Sequence, residues 1–166
     1  MPTGKEIAVL ETSMGKIEIE LDREHAPLTV ENFVLYVKSG FYDGTVFHRV
    51  IEGFMVQGGG FTPDGKQKAA RAPIRLEAGG GQKNTSGTVA MARTNDPDSA
   101  TSQFFINVAD NDFLNRATGN AGYAVFGKVV SGMDTVNKIR KARTTTRGFY
   151  EDWPAEDIAI IRAHMK

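Results

Sequence analysis

Cysteine is absent from the 166 residues, so neither a disulfide nor a thiolate nucleophile is available. An excess of one charge is absent as well. Twenty Lys and Arg balance twenty Asp and Glu, whereas a nucleic-acid binder normally carries a basic excess. The basic runs Lys66–Arg71 and Lys138–Arg147 read as solvated faces. No apolar run approaches the roughly 18 residues of a membrane-spanning helix. The N-terminal text Met-Pro-Thr-Gly-Lys-Glu has no cationic start followed by an apolar stretch. No secretory leader is therefore expected, and a cytoplasmic location is the default. Histidine is scarce: His25, His48 and His164 lack the spacing of a metal site. Every Gly-Lys pair is followed by a residue other than Ser or Thr, which excludes a phosphate loop. Pro63 and Asn84 stand where the glycine clusters Gly58–Gly60 and Gly79–Gly81 would need a further glycine to hold a dinucleotide. These clusters read as turns that use φ > 0. Asp96 and Asp98 lack the remaining ligands of a calcium loop. No metal and no cofactor is expected, and no serine sits in a nucleophile elbow.

What is present points to one domain, residues 1–166, built mostly of strands. Hydrophobic residues make up 40% of the chain, enough for a sizeable core at this length. Ile17, Ile19 and Leu21 alternate with charged residues, and Ile7–Thr12 precedes them across Ser13-Met14-Gly15, which predicts a hairpin. Val30, Phe33, Val34 and Val37 fall at helical spacing between Pro27 and Gly40, which predicts a helix over Leu28–Ser39. Further strands are expected at Thr45–Val50, Phe54–Gln57, Pro73–Glu77, Thr88–Ala92, Gln103–Val108, Tyr123–Val130 and Asp157–His164, with a second helix over Met133–Ala142. Many short strands, two helices and no βαβ alternation suggest an antiparallel barrel capped by helices.

Val46–Gly59 is the most informative stretch. Arg49 stands between Phe47 and Ile51 in an apolar run, with Phe54, Met55 and Gln57 close behind. An unpaired arginine is costly to bury, so it is at the surface or functional. His48 neighbours Arg49 and, on a regular strand, faces the other way as a packing or hydrogen-bonding residue. A fixed cation beside an apolar wall suits a site that twists a bond and does not cut one.

The chain resembles the cyclophilins, the family of peptidyl-prolyl cis–trans isomerases. The resemblance is carried by Pro27-Leu28-Thr29-Val30-Glu31-Asn32-Phe33, Phe47-His48-Arg49-Val50-Ile51, Gly53-Phe54-Met55-Val56-Gln57-Gly58-Gly59, Met91-Ala92, Ser102-Gln103-Phe104-Phe105-Ile106 and Val125-Phe126-Gly127-Lys128-Val129. It runs from about Ile7 to His164 and is nearest to the short bacterial cyclophilins of the cytoplasm. It implies a closed eight-stranded antiparallel β-barrel with a helix over each end, and an active groove on its outer surface. It implies rotation about X-Pro bonds in support of protein folding, with Arg49 as the catalytic residue. Phe54, Met55, Phe105 and Leu114 would hold the proline ring, and Gln57, Ala92, Arg93 and Gln103 would face the peptide backbone. Phe113 and Tyr123 stand where many eukaryotic members have tryptophan and histidine, and Arg93 where they have asparagine. The implied partners are proline-containing peptides and unfolded or flexible segments, met by a monomer. Cyclosporin affinity should be weakened by Phe113. A rival reading is a proline-peptide binding module or chaperone that uses the same groove without turnover. Arg49 favours the enzyme, since a binder could rely on the apolar pocket alone.

Overall fold

The computed structural model describes residues 6–80 and 82–166. The N-terminal text Met1–Lys5 and the last glycine of Gly79–Gly81, both discussed above, lie outside them. The expected hairpin forms from β1 (Glu6–Thr12) and β2 (Gly15–Leu21). Helix α1 (Pro27–Lys38) follows, and then β3 (Val46–Ile51) and β4 (Met55–Phe61). Strands β5 (Thr88–Met91), β6 (Phe104–Asn107) and β7 (Val125–Ser131) come next. Helix α2 (Met133–Arg140), a small hairpin of β8 (Thr144–Arg147) and β9 (Tyr150–Pro154), and β10 (Ile160–Met165) complete the order.

Eight strands form one antiparallel sheet in the order β10-β1-β2-β7-β5-β6-β4-β3. Closed describes it too strongly. The end strands meet only at a bridge between Val46 and Ala159 and at a few backbone hydrogen bonds. Phe47 N–H donates to Ile158 C=O at 2.9 Å and Ile160 N–H donates to Thr45 C=O at 2.8 Å. Because β10 begins only at Ile160, it overlaps just the first residues of β3, and the barrel is stitched at one end of its seam. Three further expectations change. Pro73–Glu77 is reduced to a single bridge between Ile74 and Ala100. Gly58–Gly60 lies inside β4, not in a turn, and only Gly59 has a left-handed φ, +91°. A Cβ on Gly60 would come within 2.5 Å of Gln103, so that glycine serves close packing of a side chain onto the strand. The β8–β9 hairpin was not expected, since Thr144, Thr145 and Thr146 carry no alternation.

Inside the sheet, Leu10, Ile17, Ile19, Phe47, Val56, Phe104, Ile106 and Phe126 form the main core. Helix α1 buries Val30, Phe33, Val34 and Val37 against it. Phe33 meets Phe104 edge-on at 5.5 Å, a favoured ring geometry. The start of α1 has no side-chain cap of its own. Glu77, from the long loop, fills that role: Leu28 N–H donates to its Oε2 at 3.1 Å, and Thr29 N–H to its Oε1 at 2.6 Å. A carboxylate at a helix N-terminus satisfies orphan donors and suits the dipole. Helix α2 starts at Gly132, whose φ of +92° and close approach to Lys16 C=O (2.1 Å from an added Cβ) require glycine.

Candidate active site

The ladder between β3 and β4 is irregular where it matters. Phe47 pairs with Gly58 and Arg49 with Gln57, so His48 is the extra residue of a β-bulge. Simple alternation puts His48 and Arg49 on opposite faces. Instead, Phe47 and Val50 join the main core while both His48 and Arg49 lie outside it. His48 packs against Phe61 at 4.5 Å and Trp153 at 5.8 Å between ring centroids. Its Nδ1 is buried without a hydrogen-bond partner. Burial first, and the Arg49 charge second, push its pKa down to about 4. Neutral and walled in by aromatics, it is a packing residue and is not placed to act as a base. His25 and His164 pair with Asp22 and Glu11 on the surface.

Arg49 is exposed and stands at the rim of a pocket. Among the described residues it has no carboxylate within ion-pair distance and no hydrogen bond. Its guanidinium carbon lies 6.0 Å from the centroid of Phe54. Its donors are therefore free to meet a ligand. The pocket, about 140 Å³, is lined by Arg49, Phe54, Met55, Gln57, Ala92, Arg93, Phe105, Leu114 and Tyr123. Its apolar floor is a second hydrophobic cluster, separate from the main core, in which Met55, Ala90, Phe105, Leu114 and Val125 are buried. Strand pairing produces this floor: Met55, Phe105 and Ala90 project outward from β4, β6 and β5, as Gln57 pairs with Phe105 and Phe105 with Ala90.

Two residues expected in the site lie beside that pocket. Gln103 lines an adjoining one that shares Gln57, Ala92 and Arg93, and accepts a hydrogen bond from Gln57 Nε2 at 3.0 Å. Phe113 stands on the lip, 65% exposed, with its ring 5.4 Å from that of Phe54. Arg93 lines both pockets, but its donors are occupied. Nε and Nη2 donate to Gly122 C=O at 3.2 and 2.7 Å, Nη1 donates to Thr94 C=O at 2.8 Å, and the guanidinium stacks 4.3 Å from Tyr123. The adjoining pocket also takes in Thr94, Ser99 and Thr101, from a loop read in the sequence as polar, and Gln67, which sequence reasoning did not single out. Polar loop residues carry no periodic signal. Asp96 and Asp98 order that loop: Asp98 N–H donates to Asp96 Oδ1, and Leu76 N–H donates to Asp98 Oδ1, each at 2.9 Å. Among the described residues, no group of His, Asp or Glu could hold a metal ion.

The family model described as cyclophilin type peptidyl-prolyl cis-trans isomerase/CLD matches residues 7–165. A peptidyl-prolyl cis-trans isomerase of Acinetobacter baylyi is 56% identical over 157 residues, covering 95% of this chain and 84% of that protein. Peptidyl-prolyl cis-trans isomerase B of Escherichia coli is 55% identical over 152 residues, covering 90% and 93%. Among solved structures, a cyclophilin-type isomerase of Cryptosporidium parvum studied in the presence of the dipeptide Ala-Pro superposes with a TM-score of 0.79 at 25% identity, covering 96% of this chain and 98% of that one. With its eight-stranded sheet, its outward-facing pocket and a family match over almost its whole length, the chain belongs to the cyclophilin-type peptidyl-prolyl cis-trans isomerases, enzymes that accelerate rotation about X-Pro peptide bonds and so assist protein folding.

Proposed function

We propose that residues 1–166 act as one isomerase domain in which Arg49 is the catalytic group. The observation that carries this is the unpaired, exposed guanidinium of Arg49 at the edge of an apolar pocket. A prolyl amide resists rotation because its C–N bond has partial double-bond character, with a barrier of ~18–20 kcal/mol. When the bond twists, the prolyl nitrogen becomes pyramidal and regains its lone pair. A donor that meets this nitrogen better in the twisted state than in the planar one lowers the barrier. Arginine keeps its charge at every working pH and offers a planar fork of donors. The ring rests on Phe54, Met55, Phe105 and Leu114 by contact. Gln57, Ala92 and Gln103 address the peptide backbone while the acyl side turns. Exclusion of water by the apolar floor strengthens the Arg49 interaction. Lowering the barrier by about 6 kcal/mol would bring turnover to roughly 10³ per second.

Arg93 and Tyr123 form the wall between the two pockets in this reading, with Arg93 bracing the loop at Gly122. The ligands are proline-containing peptides and flexible protein segments; the Cryptosporidium relative was studied with such a dipeptide, Ala-Pro. Phe113 at the lip offers less ring surface than a tryptophan, so cyclosporin binds weakly. The working unit is a monomer, which rests on the balanced charge. No helix among the described residues is long and apolar enough to cross a membrane. A cytoplasmic site of action is our working assignment, resting on the absence of cysteine. The test is an exchange assay on an X-Pro peptide. Arg49→Ala should turn over at least about tenfold more slowly with the fold intact. Near-wild-type turnover would remove Arg49 from its role.

A further inference from the structure

The pocket floor comes from strands, whose ladders hold it. Its lips do not. Phe54 lies in the turn before β4, and Phe113 and Leu114 lie in a 3-10 turn at Asp112–Leu114. Backbone bonds tether each lip to the chain beside a strand, with Val108 N–H donating to Phe54 C=O at 3.1 Å and Tyr123 N–H to Leu114 C=O at 3.0 Å, but neither bond joins one lip to the other. Between them runs a chain of asparagine side chains that the mechanism above does not use. Asn111 Nδ2 donates to Phe54 C=O at 2.9 Å and to Asn107 Oδ1 at 2.8 Å. Asn107 Nδ2 donates in turn to Asn84 Oδ1 at 3.1 Å. Asn84 Nδ2 donates to Leu114 C=O and to Asn115 Oδ1, each at 3.2 Å. The chain thus begins on the backbone of one lip and ends on the backbone of the other. Asn120 extends it outward, donating to Phe113 C=O at 2.8 Å and to Asn115 C=O at 3.2 Å.

Asn84 and Asn107 have no solvent exposure and Asn111 has 4%. Three buried amides are costly unless their donors and acceptors find partners. Here each amide donates to the carbonyl of the next, so every link depends on its neighbours. Tying two loops together would need only one such contact. A series that spans from Phe54 to Leu114 sets a distance, and the distance it sets is the mouth of the proline pocket.

We propose that Asn111, Asn107 and Asn84 are positioning residues that hold the two lips of the pocket at the spacing a proline ring needs. This rests on the reading of the pocket given above. Asn111→Asp is nearly isosteric, yet it loses both donations and sets a carboxylate oxygen against the Phe54 and Asn107 oxygens. KM for an X-Pro peptide should rise about fivefold, since buried hydrogen bonds are lost on the binding side. The maximal rate should stay within about twofold, because Arg49 is not in the chain. Trp153 fluorescence, which reports a distant cluster, should not change. Asn120→Ala, at the outer end, should raise KM about twofold, by loss of its donations to Phe113 and Asn115 and of the bond it accepts from Gly122 N–H. An unchanged KM in folded Asn111→Asp overturns the proposal. Should that variant fail to fold, an unchanged KM in Asn120→Ala overturns it. A fall in maximal rate with KM unmoved also overturns it, because that would place the chain's effect on Arg49. Normal turnover in Arg49→Ala would instead overturn the reading of the catalytic group and leave the KM arm intact.

Discussion

Two apolar clusters lie outside the main core, one closed over by a hairpin and the other opening into a pocket. The first contains Val46, Phe61 and Trp153, with Ala159 beside them. The β8–β9 hairpin closes over it: Trp153 is 1% exposed, Tyr150 packs on Phe61 at 5.1 Å, and Arg147 stacks 4.9 Å from the Trp153 ring. The second contains Met55, Ala90, Phe105, Leu114 and Val125, which are buried as well, but Met55, Phe105 and Leu114 line a pocket of about 140 Å³ that opens to solvent. Both have apolar floors and both have an arginine near an aromatic ring. In the covered patch the arginine is a lid over its own protein. In the open patch Arg93 also stacks on a ring, Tyr123 at 4.3 Å, but Arg49 approaches Phe54 only loosely, at 6.0 Å, and keeps its donors for something else. A pocket with an apolar floor and a free cation at its rim marks the place where a ligand completes the packing.

This contrast predicts that damage to the covered patch appears in stability and damage to the open patch in turnover. The largest effect should come from Trp153→Ala. Loss of a fully buried indole costs about 3–5 kcal/mol. Urea midpoints should fall accordingly, while the molecules that remain folded isomerise at close to the normal rate. A matching loss of turnover would show that the covered patch also shapes the groove.

Next in size is the proton linkage of His48. Its pKa is pushed down to about 4 in the folded state from 6.5 when free. The unfolded chain therefore binds the proton first. The contribution is complete above the free value and is lost as pH falls through that window toward 4. The loss should amount to on the order of 3 kcal/mol. Comparing urea midpoints at pH 7 and near pH 4 in the wild type and in His48→Phe isolates it, since the variant removes only this titration. Equal pH slopes in the two proteins would show that His48 does not titrate as described. The Arg49→Ala effect on turnover ranks third, at least about tenfold or ~1.4 kcal/mol of barrier, with little change in midpoint. The smallest effect concerns the lip of the open patch. Phe113→Trp adds ring surface beside Phe54 and should tighten cyclosporin binding measured by calorimetry, with turnover hardly changed. Unchanged affinity would take Phe113 out of the drug contact.

Periodic burial explains what could be read without coordinates. Ile17, Ile19 and Leu21 alternate, and Val30, Phe33, Val34 and Val37 repeat at helical spacing, so the first hairpin and α1 declare themselves within a residue or so. The hidden parts are those that need two distant segments at once. The bulge at His48 is invisible because it is a mismatch of register between β3 and β4, and neither strand records it alone. Glu77 caps a helix 48 residues away, which no local pattern announces. The asparagine chain joins positions 84, 107 and 111 from three separate loops and strand ends. Resemblance to a family supplied the site roles of Phe113, Leu114 and Tyr123, which composition and spacing alone do not assign. It did not reveal that Arg93 spends its donors on Gly122 and Thr94.

The register of the sheet has a further consequence for how this protein is made. Strand β1 has β2 on one side and β10 on the other, with Ala8 opposite Met165. Its second neighbour does not exist until synthesis has reached residue 165. Pairing so distant in sequence pays the full entropy of closing the intervening chain and tends to form late. During translation, one edge of β1 is therefore bare until β10 has been made. The contacts of β3 across the seam wait for the same segment, since Ile158 and Ile160 supply the backbone partners of Phe47 and Thr45. An enzyme that assists the folding of other chains thus completes its own sheet only when β10 arrives, and β1 and β10 finish side by side.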